Sequence, residues 1–252
     1  RMAQAPRTII VVVLLLTFAG ATLKLAAQAR PIGHWKFDEG AGKTAADSSG
    51  NGNDGKLEGG FEWAGEGISG GSLQFDGIGA YVQTTLLNEL RNAENFTISA
   101  WFKTNVTDSG QQHILWIGDL SGNGWGGQSE LHIGINHFGF SNKLVFYYGT
   151  GTDTDGQCIN IASLDDFTDT GEWHRLVGVI ENADGPIVTG TLYLDGEVVE
   201  PFVDGFDNDA VVFPTTDTTE FPPDRAGWNT ALRIGSPGAA RRYFGSSQMT
   251  PT

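Results

Sequence analysis

Cysteine is almost absent from the sequence, which contains one, Cys158, in 252 residues. A single thiol cannot form an intramolecular disulfide, and it excludes zinc and iron–sulfur sites built from several cysteines. The fold must therefore be stabilised by a hydrophobic core, for which a chain of this length supplies ample apolar surface.

Positive charge is also scarce, with 15 Lys and Arg against 30 Asp and Glu and a net charge of -15. Residues 1–29 contain three of the basic residues and no acid, so the rest of the chain is more acidic still. Such a surface repels nucleic acid and anionic lipid headgroups, and nucleic acid is excluded as a partner.

Proline is sparse and glycine is abundant, at 9 and 36 residues. Glycine at about one residue in seven is roughly twice its average usage. It follows no Gly-X-Y period, which excludes a collagen-like chain. This composition is typical of many short strands joined by tight turns.

One long uncharged segment occupies residues 8–23, close to the N-terminus. Arg1 and Arg7 precede it, and Ala27-Gln28-Ala29 follows it, which is the pattern of a secretory signal with its cleavage site. A helix that spans a bilayer usually needs about 20 apolar residues, so this segment is short for a membrane span.

Two interpretations of residues 1–29 are open at this point: a cleaved secretory signal, and an uncleaved signal-anchor or transmembrane helix. Our hypothesis is the uncleaved helix, in contact with the lipid bilayer. Its apolar residues are Ile9, Ile10, Val11, Val12, Val13, Leu14, Leu15, Leu16 and Phe18. The basic residues Arg1 and Arg7 then keep the N-terminus in the cytoplasm and place the main domain in the periplasm or outside the cell.

From residue 30 onward, apolar and polar residues alternate at a period of two, which is typical of strands with one face on a core. Eleven such runs occur, at 34–37, 72–75, 81–84, 96–102, 113–117, 131–135, 144–148, 158–161, 173–180, 191–194 and 231–234. A short helix is predicted at 85–93, and Asp195-Gly196 is typical of a hairpin turn. The pattern predicts an all-β sandwich. It forms one domain over residues 30–252, with an acidic insertion at 200–228.

Several motifs occur in the order found in a known family. They are GHWKFDEG (33–40) with DSSGNGNDG (47–55), LQFDG (73–77) with YV (81–82), FTISAWF (96–102), GEWHRL (171–176) and LYLDG (192–196). On these motifs the chain resembles laminin-G-like domains of the concanavalin A-like group. The resemblance implies a two-sheet antiparallel jelly-roll sandwich, here preceded by one N-terminal hydrophobic helix.

The C-terminal end departs from the family pattern. The resemblance implies an acidic closing strand that pairs beside the first strand. Here Tyr243-Phe244-Gly245 is followed by seven residues without an acid. We expect the closing strand to be short or absent, which would leave a sheet edge for a partner protein to pair with.

The loop at 47–55 is the best candidate for a metal site, because Ca²⁺ prefers oxygen ligands from carboxylates, amides and backbone carbonyls. The candidate ligands are Asp47, Asn51, Asn53 and Asp54. The resemblance implies a calcium ion at such a loop, with a last ligand from the closing strand that this chain lacks. The alternative is that these Asp and Asn side chains cap a series of turns.

Tryptophan supplies the candidate contact residues. Trp125 lies among glycines and Trp228 lies in the insertion, so both are predicted to be exposed and to contact a sugar or a protein partner. Trp35, Trp101 and Trp173 lie in strand motifs and are predicted to belong to the core.

Catalysis has little support in the sequence. Related glucanases carry a Glu-x-Asp-x-Glu strand that supplies both catalytic acids, and this chain has none. Its five histidines are scattered, and no Ser or Cys occurs in a nucleophile motif. We predict no catalytic residues and no enzyme activity.

Two hypotheses follow for the function. The first is a non-catalytic, membrane-anchored structural subunit whose sandwich packs on a larger membrane protein assembly, such as a photosynthetic or respiratory complex. The second is a secreted or tethered lectin-like module that binds polysaccharide, with Ca²⁺ as the candidate cofactor.

Overall fold

The computed structural model describes residues 30–85, 87–105, 112–118, 131–137, 140–149, 158–168, 170–183, 188–200, 232–235 and 242–251. The predicted N-terminal helix lies outside these ranges, and so does the insertion beyond Glu200. Within the described ranges, no helix combines the length and hydropathy that crossing a membrane requires.

Strands account for more than half of the described residues. The strands are β1 (Gly33–Trp35), β2 (Thr44–Ala45), β3 (Gly55–Glu58), β4 (Phe61–Ala64), β5 (Ser72–Phe75), β6 (Tyr81–Gln83), β7 (Phe96–Thr104), β8 (Gln112–Ile117), β9 (Leu131–His137), β10 (Phe140–Gly149), β11 (Cys158–Ala162), β12 (His174–Glu181), β13 (Thr189–Leu194), β14 (Glu197–Val198), β15 (Arg233–Ile234) and β16 (Arg242–Pro251). One short helix, α1 (Asn88–Arg91), precedes β7. Each of the eleven predicted runs overlaps a strand, and α1 lies inside the predicted helix.

Two antiparallel sheets contain these strands. Sheet A has the order β14-β13-β12-β7-β16-β5-β4, with β1 also paired to β16. Sheet B has the order β11-β10-β9-β8-β15-β6-β3-β2. This arrangement confirms the predicted all-β sandwich of antiparallel sheets.

The core lies between the inner faces of the two sheets. Phe96 of β7 and Tyr148 of β10 meet across it with ring centroids 6.1 Å apart. Trp35 is fully buried, as predicted. Trp101 and Trp173 are half-buried, so the prediction that they belong to the core is wrong. The error for Trp101 has a simple cause, because alternate residues of β7 face away from the core.

The hairpin prediction is confirmed. Leu194 pairs with Glu197, and Asp195 and Gly196 between them have φ angles of 52° and 95°. Two successive positive φ angles are the mark of a two-residue turn that matches the twist of its strands.

The prediction of a short or absent closing strand is wrong. β16 runs from Arg242 to Pro251 and lies inside sheet A, paired with β7 along one side and with β5 and then β1 along the other. A ladder is held by backbone hydrogen bonds, which do not need the acidic side chains of the family pattern. The open edge that we expected there is therefore filled.

Candidate functional site

Asp47 anchors the loop that was predicted to bind calcium. Its Oδ1 accepts hydrogen bonds from the backbone N–H groups of His34 and Ser49, both at 2.9 Å. Its Oδ2 accepts the Ser49 hydroxyl at 2.7 Å and the backbone N–H of Asn53 at 3.0 Å. Both carboxylate oxygens are thus occupied by donors of the chain itself.

The other candidate ligands of the loop are also engaged. Asn51 and Asn53 donate their side-chain amides to the carbonyl of Ile32, at 3.0 and 2.8 Å. Asn53 Oδ1 accepts the Thr85 hydroxyl at 2.7 Å. Asp54 Oδ1 accepts the backbone N–H of Asp47 at 2.8 Å. The structure therefore brings all four predicted residues together, but as turn-capping groups.

The electrostatics of Asp47 agree with that role. Its partial burial raises the pKa of the carboxyl, but the hydrogen bonds from Ser49, His34 and Asn53 outweigh burial and hold the pKa below its ordinary value. No cluster of three or more His, Cys, Asp or Glu that could hold a metal occurs in the described residues. In this arrangement donors of the chain itself occupy the Asp47 carboxylate, and calcium binding at the 47–55 loop stays a prediction.

Trp125 and Trp228, the predicted contact residues, lie outside the described residues. The structure points to a different set of aromatic residues, on the face of sheet B that is turned away from the core. In β9, Ile133 belongs to the core cluster and its neighbour His132 does not. In β8, Leu115 and Ile117 are core residues and Trp116 between them is half-buried on the other face.

A row of polar and aromatic residues crosses this outer face. Cross-strand pairs link Tyr147 to His132, His132 to Trp116, Trp116 to Arg233 and Arg233 to Gln83. Adjacent strands are about 4.8 Å apart, so these five residues span roughly 19 Å of the sheet. Trp116, Arg233 and Gln83 are half-buried and His132 and Tyr147 are buried, so a ligand can reach the row at its Trp116–Gln83 end.

Arg233 lies at the half-buried end of this row. Its Nε donates a hydrogen bond to Gln83 Oε1 at 2.9 Å. Its guanidinium carbon lies 4.4 Å from the centre of the Tyr81 ring and 5.8 Å from that of Trp116. We call these four residues, Tyr81, Gln83, Trp116 and Arg233, the arginine patch.

The other end of the row is buried and rigid. His132 stacks on Tyr147 with ring centroids 5.3 Å apart and planes 10° apart. His113 of β8 contacts the His132 ring at 4.7 Å. Since His132 and Tyr147 are both buried, they support the sheet face beside the arginine patch.

Charge next to the arginine patch is largely compensated. Glu58 of β3 lies across from Tyr81, and Lys56 lies across from Gln83. Lys56 Nζ and Glu58 Oε1 are 2.5 Å apart. This pairing leaves Arg233 as the cation at the centre of the described face.

Sequence reasoning missed the arginine patch because its members come from three separate strands. The period-two pattern did predict strands at 81–84 and 113–117, which contain Tyr81, Gln83 and Trp116. It did not reveal that β15 lies between these strands, since that register depends on the tertiary fold.

Comparison with known proteins gives a family and a fold. The family model described as the concanavalin A-like lectin/glucanases superfamily matches residues 76–244. No curated protein matches the sequence.

Solved structures with a similar fold include binding domains and an enzyme. The binding domain of botulinum neurotoxin DC in complex with SialylT is 16% identical, with a TM-score of 0.55 and coverage of 88% of this chain and 48% of that chain. The same domain in complex with rat synaptotagmin II is 17% identical, with a TM-score of 0.52 and the same coverage. The sialidase of Trypanosoma rangeli is 16% identical, with a TM-score of 0.51 and coverage of 87% and 30%.

These identities demonstrate a shared fold alone. This chain covers less than half of the length of each of the three structures. Because binding domains and a sialidase are both similar in fold, function has to be argued from the residues of this chain.

Proposed function

The chain belongs to the concanavalin A-like lectin/glucanases superfamily, and on that premise we propose that it is a carbohydrate-binding module whose site is the arginine patch. The observation that carries the proposal is the grouping of two half-buried aromatic rings, a planar amide and a planar cation on one face of sheet B. It is a coarse assignment to a ligand class and names no glycan.

The chemistry of a sugar matches this group of side chains. A pyranose ring has a face of C–H groups and a rim of hydroxyls, so it needs an apolar surface beside directed polar groups. Tyr81 and Trp116 supply rigid apolar area with little conformational entropy to lose. Gln83 keeps its amide N–H₂ as a donor, since its Oε1 is the atom that accepts from Arg233.

The proposal includes no catalytic step. Glycosidases of the usual kind place two carboxyl groups about 5 to 10 Å apart around the scissile bond. The carboxylate in register with Tyr81 is Glu58, and its partner is the ammonium group of Lys56. A carboxylate held by a lysine in this way favours binding over general acid chemistry.

The structural-subunit hypothesis has less support. It depended partly on an open sheet edge, and β16 fills that position. Its remaining basis is residues 1–29, which lie outside the described residues. The predicted placement of the main domain outside the cytoplasm is compatible with a glycan ligand and stays part of the proposal.

Two of the similar structures contain a bound partner. The binding domain of botulinum neurotoxin DC was solved once with SialylT and once with rat synaptotagmin II. These ligands belong to the whole binding domain, of which this chain covers 48%, so the choice of a sugar over a protein is argued from the aromatic composition of the arginine patch.

A glycan array tests the proposal directly. The purified chain should bind a subset of glycans, and Tyr81→Ala and Trp116→Ala should each weaken that binding by roughly tenfold, because about 1.4 kcal/mol of lost aromatic contact corresponds to that factor. Circular dichroism and the melting temperature of each variant show whether the fold is intact.

Trp173→Ala is the matched control. Trp173 is a half-buried tryptophan with a cation near its ring, Lys103 Nζ at 5.3 Å, and it lies next to β12 of sheet A. Its loss should leave glycan binding unchanged. Absence of binding to every glycan, or equal losses in all three variants, would contradict the proposal.

A further inference from the structure

We propose that Arg233 makes the arginine patch selective for sugars that carry an isolated carboxylate, such as a hexuronic acid or a sialic acid. This inference rests on the proposed carbohydrate-binding function and names the ligand class that the site prefers. It is carried by the unused hydrogen-bonding capacity of one oriented guanidinium.

The Arg233 guanidinium has more N–H donors than its contacts with the described residues use. A guanidinium presents five N–H donors in a fixed plane and accepts nothing. One of them, on Nε, is used by Gln83. Among the residues that the structure describes, no carboxylate forms a salt bridge with Arg233. The four donors on its two terminal nitrogens are therefore available to a ligand.

Those donors are also held in position. Gln83 fixes the guanidinium from one side, while Tyr81 and Trp116 contribute their ring faces. A cation over an aromatic ring is stabilised electrostatically and keeps its edge open for planar partners. Since less side-chain freedom is lost on binding, a preorganised arginine binds its partner more tightly than a mobile one.

Arg175 provides the contrast within the same chain. Its side chain is exposed on β12, at the other sheet, and the contact described there is made by its backbone N–H with Asp195 Oδ1. A solvated arginine of this kind needs no ligand, because water satisfies its donors. Arg233 is half-buried beside two rings, where water competes less effectively.

A carboxylate is the group that fits these donors best. Arginine and carboxylate form two parallel N–H···O bonds, which are shorter and stronger than bonds between neutral groups. When the carboxylate is attached to a sugar ring, the C–H face of the same ring can pack against an aromatic side chain. One sugar residue of the ligand then contacts both the guanidinium and an aromatic ring of the arginine patch.

The net charge of the protein restricts the ligand to few negative charges. The chain has a net charge of -15. At physiological ionic strength charges interact over about 8 Å, so one arginine neutralises one nearby carboxylate, while the rest of a polyanion meets an acidic surface. A densely sulfated polysaccharide is therefore a poor ligand, whereas a single carboxylate on a neutral glycan is favoured.

The test compares each acidic oligosaccharide with the same oligosaccharide after its carboxyl group is reduced to an alcohol. One pair is hexuronate-terminated and the other is sialylated, so that the two sources of the carboxylate are distinguished. We expect the wild-type protein to bind at least one acidic form roughly ten- to a hundredfold more tightly than its reduced partner. Heparin serves as the polyanion and should bind more weakly.

Two variants test whether Arg233 causes the preference for the acidic oligosaccharide. Arg233→Gln should bring the acid-to-alcohol affinity ratio close to one, whereas Arg175→Gln, with the same loss of charge, should keep the wild-type ratio. The comparison of ligand pairs with the wild-type protein needs no variant, so it holds even if Arg233→Gln fails to fold.

The outcomes separate the inference from the proposed function. Equal binding of acidic and reduced forms by the wild-type protein overturns the inference and leaves carbohydrate binding intact. If Arg233→Gln still prefers the acidic form, Arg233 is not the source of that preference. If heparin binds more tightly than the acidic oligosaccharides, the ligand is not restricted to isolated charges. Absence of binding to any glycan overturns the proposed function itself.

Discussion

Arg233 Nε and Gln83 Oε1 lie 2.9 Å apart, although the two residues are 150 positions apart in the sequence. They are direct cross-strand neighbours, because β15 pairs with β6 at this point. The hydrogen bond gives the arginine a fixed direction on the sheet face. Gln83 is thus a positioning residue for the cation of the proposed site.

Gln83→Leu should weaken glycan binding without unfolding the domain. The substitution replaces the amide with apolar carbons, which removes both the acceptor of Arg233 Nε and the N–H₂ donor. A typical hydrogen bond contributes about 0.5 to 1.5 kcal/mol, so affinity should fall about two- to tenfold. Titration calorimetry measures it, and Gln83→Glu, which retains an acceptor, should recover most of the affinity for a neutral glycan.

Asp47→Ala should destabilise the domain whether calcium is present or absent. The carboxylate accepts four hydrogen bonds, one from His34 of β1 and three from Ser49 and Asn53 within the 47–55 loop. Their loss should lower the free energy of unfolding by roughly 1 to 3 kcal/mol. Urea denaturation in EDTA and in excess Ca²⁺ should yield the same difference from wild type.

Asp54→Ala is the control for that experiment, because Asp54 Oδ1 accepts one of the loop's hydrogen bonds, from the backbone N–H of Asp47. It should cost less stability than Asp47→Ala. A calcium-dependent rise in the melting temperature of the wild type that disappears in both variants would show that the loop does bind the ion.

The Asp47 carboxylate also makes the free energy of unfolding depend on pH. The folded-state pKa of Asp47 is below its ordinary value, so its ionised form stabilises the fold above an unfolded pKa of about 4. That contribution is lost as the pH falls through the folded-state pKa. In urea denaturation between pH 6 and pH 2.5, the stability difference between wild type and Asp47→Asn should be constant above pH 5 and shrink in acid. A difference that grows in acid would contradict the sign.

Gln248→Pro should test the position of β16. Gln248 lies between Ser99 of β7 and His34 of β1, so its backbone is flanked by strands on both sides. Proline removes one ladder donor and leaves a buried carbonyl without its partner, which should cost roughly 1 to 3 kcal/mol. Gln248→Thr keeps the backbone N–H, so we expect its melting temperature to stay close to that of the wild type. Equal stability of the two variants would place the C-terminal residues outside the sheet.

Asp195→Ala should loosen the hairpin between β13 and β14. Asp195 Oδ2 lies 2.7 Å from His174 Nδ1, and its Oδ1 accepts the backbone N–H of Arg175 at 2.7 Å. Its positive φ angle also favours Asp or Asn over Ala. We expect a loss of roughly 1 to 2 kcal/mol on chemical denaturation, with Asp195→Asn in between. If Asp195→Asn proves as unstable as Asp195→Ala, neither the backbone hydrogen bond nor the φ angle explains the loss.

Much of the fold could be predicted from local patterns. Period-two alternation identified β7, β12 and the other long strands because burial of one sheet face demands it at each position. The Asp195-Gly196 turn was equally local, since two positive φ angles restrict the residue types. β3 and β4 were missed because each has only four residues, and so short a stretch shows too few repeats for a period of two to stand out.

The closing strand shows where a family pattern misled. Its expected acidic residues are absent after Gly245, so the sequence predicted an open edge. The backbone of β16 nevertheless pairs with β7, β5 and β1. Hydrogen bonding of a central strand depends on its neighbours and not on side chains of a particular type.

Composition and local patterns predicted the all-β class of fold and the acidity of the chain, because each depends on residue content or on residues close together in the sequence. Around Asp47 they left two interpretations open, a calcium site and a series of turns. The tertiary structure alone decided that Arg233 lies between Trp116 and Gln83, and that Tyr81 lies beneath its guanidinium. Strand order and register bring these residues together, and both result from packing of the whole sheet over its core. Local alternation can assign a residue to one face of a sheet, but it cannot identify the residue that lies beside it on the neighbouring strand.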